Sequence, residues 1–278
     1  MKNVLKRIIL CKLFRKYLNK IANLAIANDR DLFENVLNNQ NNNLKDFVDI
    51  YPSPFNFGYN HVEKAIKLVK AFNFNSTNAI IDVGAANGDV SLIFASAFPS
   101  ATIYSYEPIL ENFNDLQINT HFNSKIKTFN KALGNSKEEK SIHLASRITS
   151  SSLLNIEENI ENDFFNKNLR HTGEQKIIIN KLDNEISQDI HVNIIKIDVQ
   201  GYELEVLKGA RETLNRTYII LIEMQNHDLY NGAPKYYVLD EYLRKCGFVL
   251  FDIIPSIRED NKLYEWDGIY VNMNIYKK

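Results

Sequence analysis

The chain has 278 residues, 45% of them hydrophobic and 24% charged, which suffices for one sizeable core without disulfides or a structural metal. Its formal net charge of −1 gives no global pull toward nucleic acid or an anionic membrane. The two cysteines, Cys11 and Cys246, lie far apart, which excludes a disulfide framework or a zinc ribbon and fits a reducing cytoplasm.

Residues 1–37 read as helical. Leu10, Leu13, Phe14, Tyr17, Leu18 and Ile21 fall on one helical face, and the first 20 residues carry seven Lys or Arg and no acid. Packing on the main domain is the expected use of that face, with peripheral membrane or partner contact through residues 1–21 as the alternative. No segment reaches the ~18 apolar residues of a membrane span. The run Ile8–Cys11 is too short for the core of a signal peptide, so a cytoplasmic location follows, with membrane association open. Asn38–Asn43 is a polar linker, and Tyr51-Pro-Ser-Pro leads into a helix around His61–Phe72. The expected division is a helical extension over residues 1–50 and a catalytic domain over 51–278.

From residue 79 the pattern alternates. Strands are expected at Ala79–Val83, Ala101–Tyr106, Ile126–Phe129, Val192–Asp198, Tyr218–Glu223 and Phe248–Ile254. Helices are expected at Asp89–Phe98, Leu110–His121, Tyr202–Leu214 and Lys235–Cys246. A last strand, Gly268–Tyr276, follows without an intervening helix, as in a hairpin. This is an α/β architecture, a mostly parallel sheet with an antiparallel last strand. An irregular insert over residues 135–190 holds expected strands Lys140–Leu144 and Lys176–Asn180. Its polar stretch around Arg147–Thr172 is expected to cover an acceptor pocket.

Three groups of residues carry chemistry. Asp82-Val83-Gly84-Ala85-Ala86-Asn87-Gly88 places glycines at a strand end before a helix N-terminus. The spacing is not the three-glycine loop that cradles a pyrophosphate. The acid Asp82 suits a cofactor bearing an amino group and a sulfonium, whereas a turn serving only strand–helix packing is the plainer alternative. Glu107 follows the second strand, where an acid can accept both ribose hydroxyls of a nucleoside or merely cap the next helix from the surface. Lys196 and Asp198 end the fourth strand on one face, with Gly201 at the turn. Glu203 and Glu205 there are expected to do no more than complement a helix dipole.

The combination Asp82-Val83-Gly84-Ala85-x-Asn87-Gly88, Glu107-Pro108 and Lys196-x-Asp198-Val199-x-Gly201-x-Glu203-x-x-x-Leu207-x-Gly209-Ala210 resembles the FkbM family of methyltransferases over residues 79–254. Asn130–Gly134 and Ser150–Ser152 resemble further landmarks of that family. One departure is Ala86, which shifts Asn87 by one position. The resemblance implies a class I Rossmann-like fold, S-adenosylmethionine as methyl donor, and O-methylation of a hydroxyl on a small molecule, sugar or glycan. It assigns Asp82, Gly84, Ala85, Asn87, Gly88, Glu107, Pro108 and Ala132 to the cofactor.

A catalytically silent nucleotide-binding module or a nicotinamide oxidoreductase on a similar sheet are the alternatives. No nucleic-acid partner is expected, because the dense basic stretch lies far along the chain from the motifs. No His/Asp/Glu spacing suggests a metal. Asp198 is the first candidate for the general base, with Lys196 beside it, and Glu223 and His227 follow by their places at or after the fifth strand. Composition does not decide the oligomeric state.

Overall fold

A computed structural model describes residues 60–72, 74–75, 78–156, 169–227, 229–259 and 261–276. The expected N-terminal helix, the asparagine-rich linker and the proline-rich segment lie outside these residues, as does much of the polar stretch of the insert. In chain order the elements are α1 (Asn60–Ala71), β1 (Ala79–Val83), α2 (Asp89–Ala97), β2 (Ile103–Tyr106), α3 (Leu110–Thr120), β3 (Ile126–Phe129) and β4 (Ala132–Leu133). Then come β5 (Glu138–Ala145), β6 (His171–Asn180), α4 (Leu182–Glu185), β7 (Val192–Ile197), α5 (Glu203–Lys208) and α6 (Arg211–Leu214). The chain continues through β8 (Thr217–Gln225), α7 (Tyr236–Lys245), β9 (Phe248–Glu259), β10 (Lys262–Asn272) and α8 (Met273–Tyr276).

Seven strands form one sheet in the order β3-β2-β1-β7-β8-β10-β9. β10 is antiparallel to both neighbours, and the other pairings are parallel. β1 and β7 are buried along their whole length, Asp82, Asn193 and Lys196 included, as strands covered on both faces are. On one face Ile81, Val83, Ile195, Ile197, Ile220 and Ile222 pack with α5 and α7 side chains; on the other Ile80, Ile194, Ile219 and Leu221 pack with α1 and α2. The chain runs outward from β1 in one direction and from β7 in the other. The switch point, where a crevice opens at the carboxyl ends of strands, therefore lies between them. Among the described residues no helix is long and apolar enough to cross a membrane.

The insert builds a second, three-stranded sheet, β4-β6-β5. Its two long strands pair antiparallel from Glu138↔Ile179 to Ala145↔His171, longer than the alternation in the sequence suggests. Ile142, Ile177 and Ile179 give it a small core of its own with Ala132 and Ile109.

Two expectations need correction. The helix expected over Tyr202–Leu214 is two short helices, α5 and α6, broken at Gly209-Ala210. A Cβ on Gly209 would lie 1.9 Å from the carbonyl oxygen of Gly134, so the chain passes the end of β4 too closely for any side chain. Asp183 then restarts the helix by accepting the backbone N–H groups of Glu212 and Thr213 at 3.0 and 2.8 Å, a long-range cap. The strand expected to Tyr276 stops at Asn272. There the Asn272 amide donates to the Leu214 and Thr217 carbonyls, and its own oxygen accepts the N–H of Asn274 to start α8. Gly209→Ala should destabilise the fold by about 1–3 kcal/mol, because the backbone of Gly134 must move. A lowered denaturation midpoint with unchanged slope is the expected reading; an unchanged midpoint would show that the close approach is not required.

Candidate active site

Two motif groups meet at the switch point. After β1 the chain turns through Gly84 (φ +77°), Ala86 (φ +45°) and Gly88 (φ +90°). A Cβ at Gly84 would stand 1.9 Å from the carbonyl oxygen of Asp198, so this glycine lets the loops after β1 and β7 touch. Gly88 turns inward, where a Cβ would strike Leu116 and Thr120 of α3. The Asn87 side chain is exposed, bonded to Asp89 across the start of α2.

Glu107 is not the exposed cap that the plainer reading allowed: it is 4% exposed. One carboxylate oxygen accepts the N–H of Ala86 and the other the N–H of Ile109, both at 2.9 Å. Glu107 thus ties the glycine loop to the loop after β2. A carboxylate offers about four lone-pair sites, so acceptor capacity for a diol remains. Burial raises its pKa, opposed by those N–H bonds.

Asp82 is fully buried on β1, in register with Lys196 of β7. Its Oδ2 accepts from Ser91 at 2.6 Å, and Ser91 in turn meets Ser105 at 2.7 Å. Burial raises the pKa of Asp82, against the pull of Lys196. The Lys196 ammonium donates to the Gly84 carbonyl at 3.1 Å and stands 3.3 Å from Asp198 Oδ2 and 3.8 Å from Asp82 Oδ1. Burial alone would depress its pKa, but the two aspartates reverse this and keep it cationic. For Asp198 burial acts upward, and Lys196 with the Gln200 amide more than offsets it, so its pKa falls below the usual carboxylate value. Its side chain is 38% exposed.

A cleft of about 660 Å³ joins these parts. Gly84, Ala85, Asn87, Glu107, Pro108 and Ala132 line it together with Lys196 and Asp198, and Arg147, Ile148, Ser150, Ser151 and Leu153 of the insert contribute to the same wall. That volume lies within the range of small-molecule and cofactor sites. The cleft wall also includes Asp89 and Asp115, so that several carboxylates, acceptors only when ionised, share it with the cations Lys131, Arg147 and Lys196.

Four residues singled out from the sequence do not line it. Asp82 sits beneath the floor and Gly88 packs on α3. Glu223 on β8 reaches the cleft only through Gln200, and burial, with Asp198 and Glu265 nearby, raises its pKa well above the usual value. His227 bonds Glu265 at 2.8 Å, and it is Glu265 that borders the cleft.

Glu203 does more than complement a dipole. It is 1% exposed and accepts the N–H groups of Gly201 and Val199 at 3.0 and 3.3 Å, and burial lifts its pKa to about 7. Sequence reasoning also passed over Gln200 and Tyr230. A non-glycine residue at φ +58° inside a motif is visible only once the turn is built.

The profile of the Methyltransferase FkbM domain matches residues 82–250, well over half of the chain. Methyltransferase 1 of Beauveria bassiana (strain ARSEF 2860) is 24% identical over 182 residues, covering 60% of this chain and 73% of that protein. Among solved structures, magnesium protoporphyrin IX methyltransferase from Synechocystis PCC 6803 with bound S-adenosylmethionine is 13% identical, with a TM-score of 0.43, covering 82% of this chain and 95% of its own. TrmK of M. capricolum with S-adenosylhomocysteine is 10% identical, with a TM-score of 0.43, covering 76% and 67%. The chain belongs to the FkbM family of methyltransferases.

Proposed function

We propose that the protein methylates a hydroxyl group of a small molecule, sugar or glycan, with Asp198 as the acceptor-side base and residues 51–278 as the catalytic domain. The observation that carries this is the state of Asp198: a carboxylate held ionised by Lys196, open to the cleft, beside the loop that Glu107 braces.

On this reading Glu107 accepts the ribose hydroxyls, and Gly84, Ala85, Asn87, Pro108 and Ala132 border the nucleoside, with Asp82 and Gly88 shaping the loop from behind. Bound S-adenosylmethionine supplies a methyl group on a positively charged sulfur that departs as a neutral thioether. The chain's own work is in-line placement, which is the larger share of the rate, and custody of one proton. Asp198 accepts the hydroxyl's hydrogen bond. As the carbon–oxygen bond forms, the oxygen becomes oxonium-like and its proton strongly acidic, so even a weakly basic carboxylate takes it. Lys196 keeps Asp198 charged until then. Glu223, whose pKa burial raises, contacts the Gln200 amide and does not line the cleft, so it is the worse-placed base.

The acceptor class is tested by incubating the protein with methyl-labelled S-adenosylmethionine and a cell extract divided into nuclease-treated, protease-treated and untreated portions. Label is expected in material that survives both treatments. Label that disappears with nuclease would replace the hydroxyl-metabolite reading by a nucleic-acid acceptor.

A further inference from the structure

One residue beside Asp198 is committed to it from several directions at once. Gln200 adopts φ +58°, immediately before Gly201 at φ +96°. A glycine or asparagine would take that conformation more readily, so the turn alone does not account for a glutamine. Its side chain does. Nε2 donates to Asp198 Oδ1 and to Glu223 Oε2, each at 3.0 Å. Oε1 lies 2.9 Å from the Tyr230 hydroxyl, which stands 2.8 Å from the Ser150 carbonyl and shares its proton between the two. The main-chain carbonyl of Gln200 accepts from Ser152 Oγ at 2.6 Å.

The amide's orientation is therefore determined. The ionised Asp198 carboxylate can only accept, which requires Nε2 on its side and leaves Oε1 toward the Tyr230 hydroxyl. Asp198 is then held at both oxygens, by Gln200 on Oδ1 and by Lys196 on Oδ2, and its remaining lone pairs are left for the cleft. Glu223 Oε2 accepts from the same amide nitrogen, and burial pushes its pKa up. Ser150, which Tyr230 grips, lines the same cleft as Asp198.

We infer that Gln200 is a positioning residue that fixes Asp198 for the acceptor hydroxyl and ties that geometry to the Ser150–Ser152 wall of the cleft. This rests on Asp198 acting as proposed above. A group held by such an outer partner loses its productive placement when the partner is removed, and small misplacements cost large factors in rate.

The test uses the full chain, methyl-labelled S-adenosylmethionine and cell extract as acceptor source. Gln200→Glu keeps size and backbone demand but donates a hydrogen bond only when protonated. Around it stand Lys196, Asp198, Glu203 and Glu223; farther groups coupled to these are His61, Tyr230, Glu265 and Asp267. In this mostly acidic setting the introduced carboxyl regains a proton as the pH is lowered. At neutral to alkaline pH the transfer rate should fall on the order of 100-fold, with cofactor affinity by calorimetry near wild type. It should then recover toward acid, a limb the wild type lacks. Tyr230→Phe, which leaves the packing intact and removes the hydrogen bond that anchors Oε1, should lose about fivefold in rate. Wild-type rate and pH profile in Gln200→Glu, or a loss of cofactor affinity equal to the loss of rate, would overturn the inference. If Gln200→Glu does not fold, full activity of Tyr230→Phe would overturn it. Asp198→Asn run in parallel separates the two claims: if that variant is inactive while both others are normal, only the positioning role fails; if it is active, the base assignment fails first.

Discussion

Asp198→Asn is expected to lower the turnover rate by at least about a hundredfold, the contribution of a well-placed base, while cofactor affinity changes little. The substitution preserves size but puts an amide where Lys196 and Gln200 both donate, so one of the carboxylate's two partners loses its acceptor. Because Lys196 and Gln200 hold the Asp198 pKa below the ordinary carboxylate value, the wild-type charge persists through neutral pH. Protonation of this base therefore slows the wild type only at pH values below that range, and the asparagine variant should show no such acid limb. A near-normal rate for Asp198→Asn together with an inactive His227→Ala would transfer the role to His227. That residue does not line the cleft, but its partner Glu265 does.

Glu107→Ala should weaken S-adenosylmethionine binding by at least about tenfold, since hydrogen bonds to a charged acceptor are worth roughly 1.5–3 kcal/mol each. The structure adds a second consequence. The substitution strands the N–H groups of Ala86 and Ile109, so the glycine loop loses its brace and stability falls by about 1–3 kcal/mol per unpaired group. Glu107→Gln distinguishes the two effects, because its amide can accept one of those N–H groups but not both. Calorimetry on the folded variants decides: wild-type affinity in both would remove Glu107 from the cofactor site.

Much of the frame was legible because short apolar-rich runs alternate with helical periods and end at turn signals. Ala79–Val83 and Ile126–Phe129 appear with the limits that composition suggested, and the hairpin after Phe248 places the antiparallel β10 between β8 and β9. What escaped was set by tertiary contact. Position 209 requires a glycine because Gly134, distant in sequence, occupies the space a side chain would need. Glu107 was legible as an acid near a nucleoside loop, yet its burial and its grip on Ala86, 21 residues away, depend on how two loops fold together. Gln200 stood inside the motif without a role, because its meaning comes from Tyr230 and Glu223, 30 and 23 residues on. Asp82 and Lys196 are the intermediate case: the period of two put Lys196 beside Asp198, while its contact with Asp82 required the register of β1 against β7.

The most direct measurement is the bonding of the transferred carbon. The wild-type protein is incubated with S-adenosylmethionine carrying a carbon-13 methyl group and the purified acceptor fraction, and the product is read by carbon NMR. The proposed chemistry at Asp198 gives a methyl carbon bonded to oxygen, formed by wild type and lost in Asp198→Asn. A methyl carbon bonded to nitrogen, carbon or sulfur would contradict it.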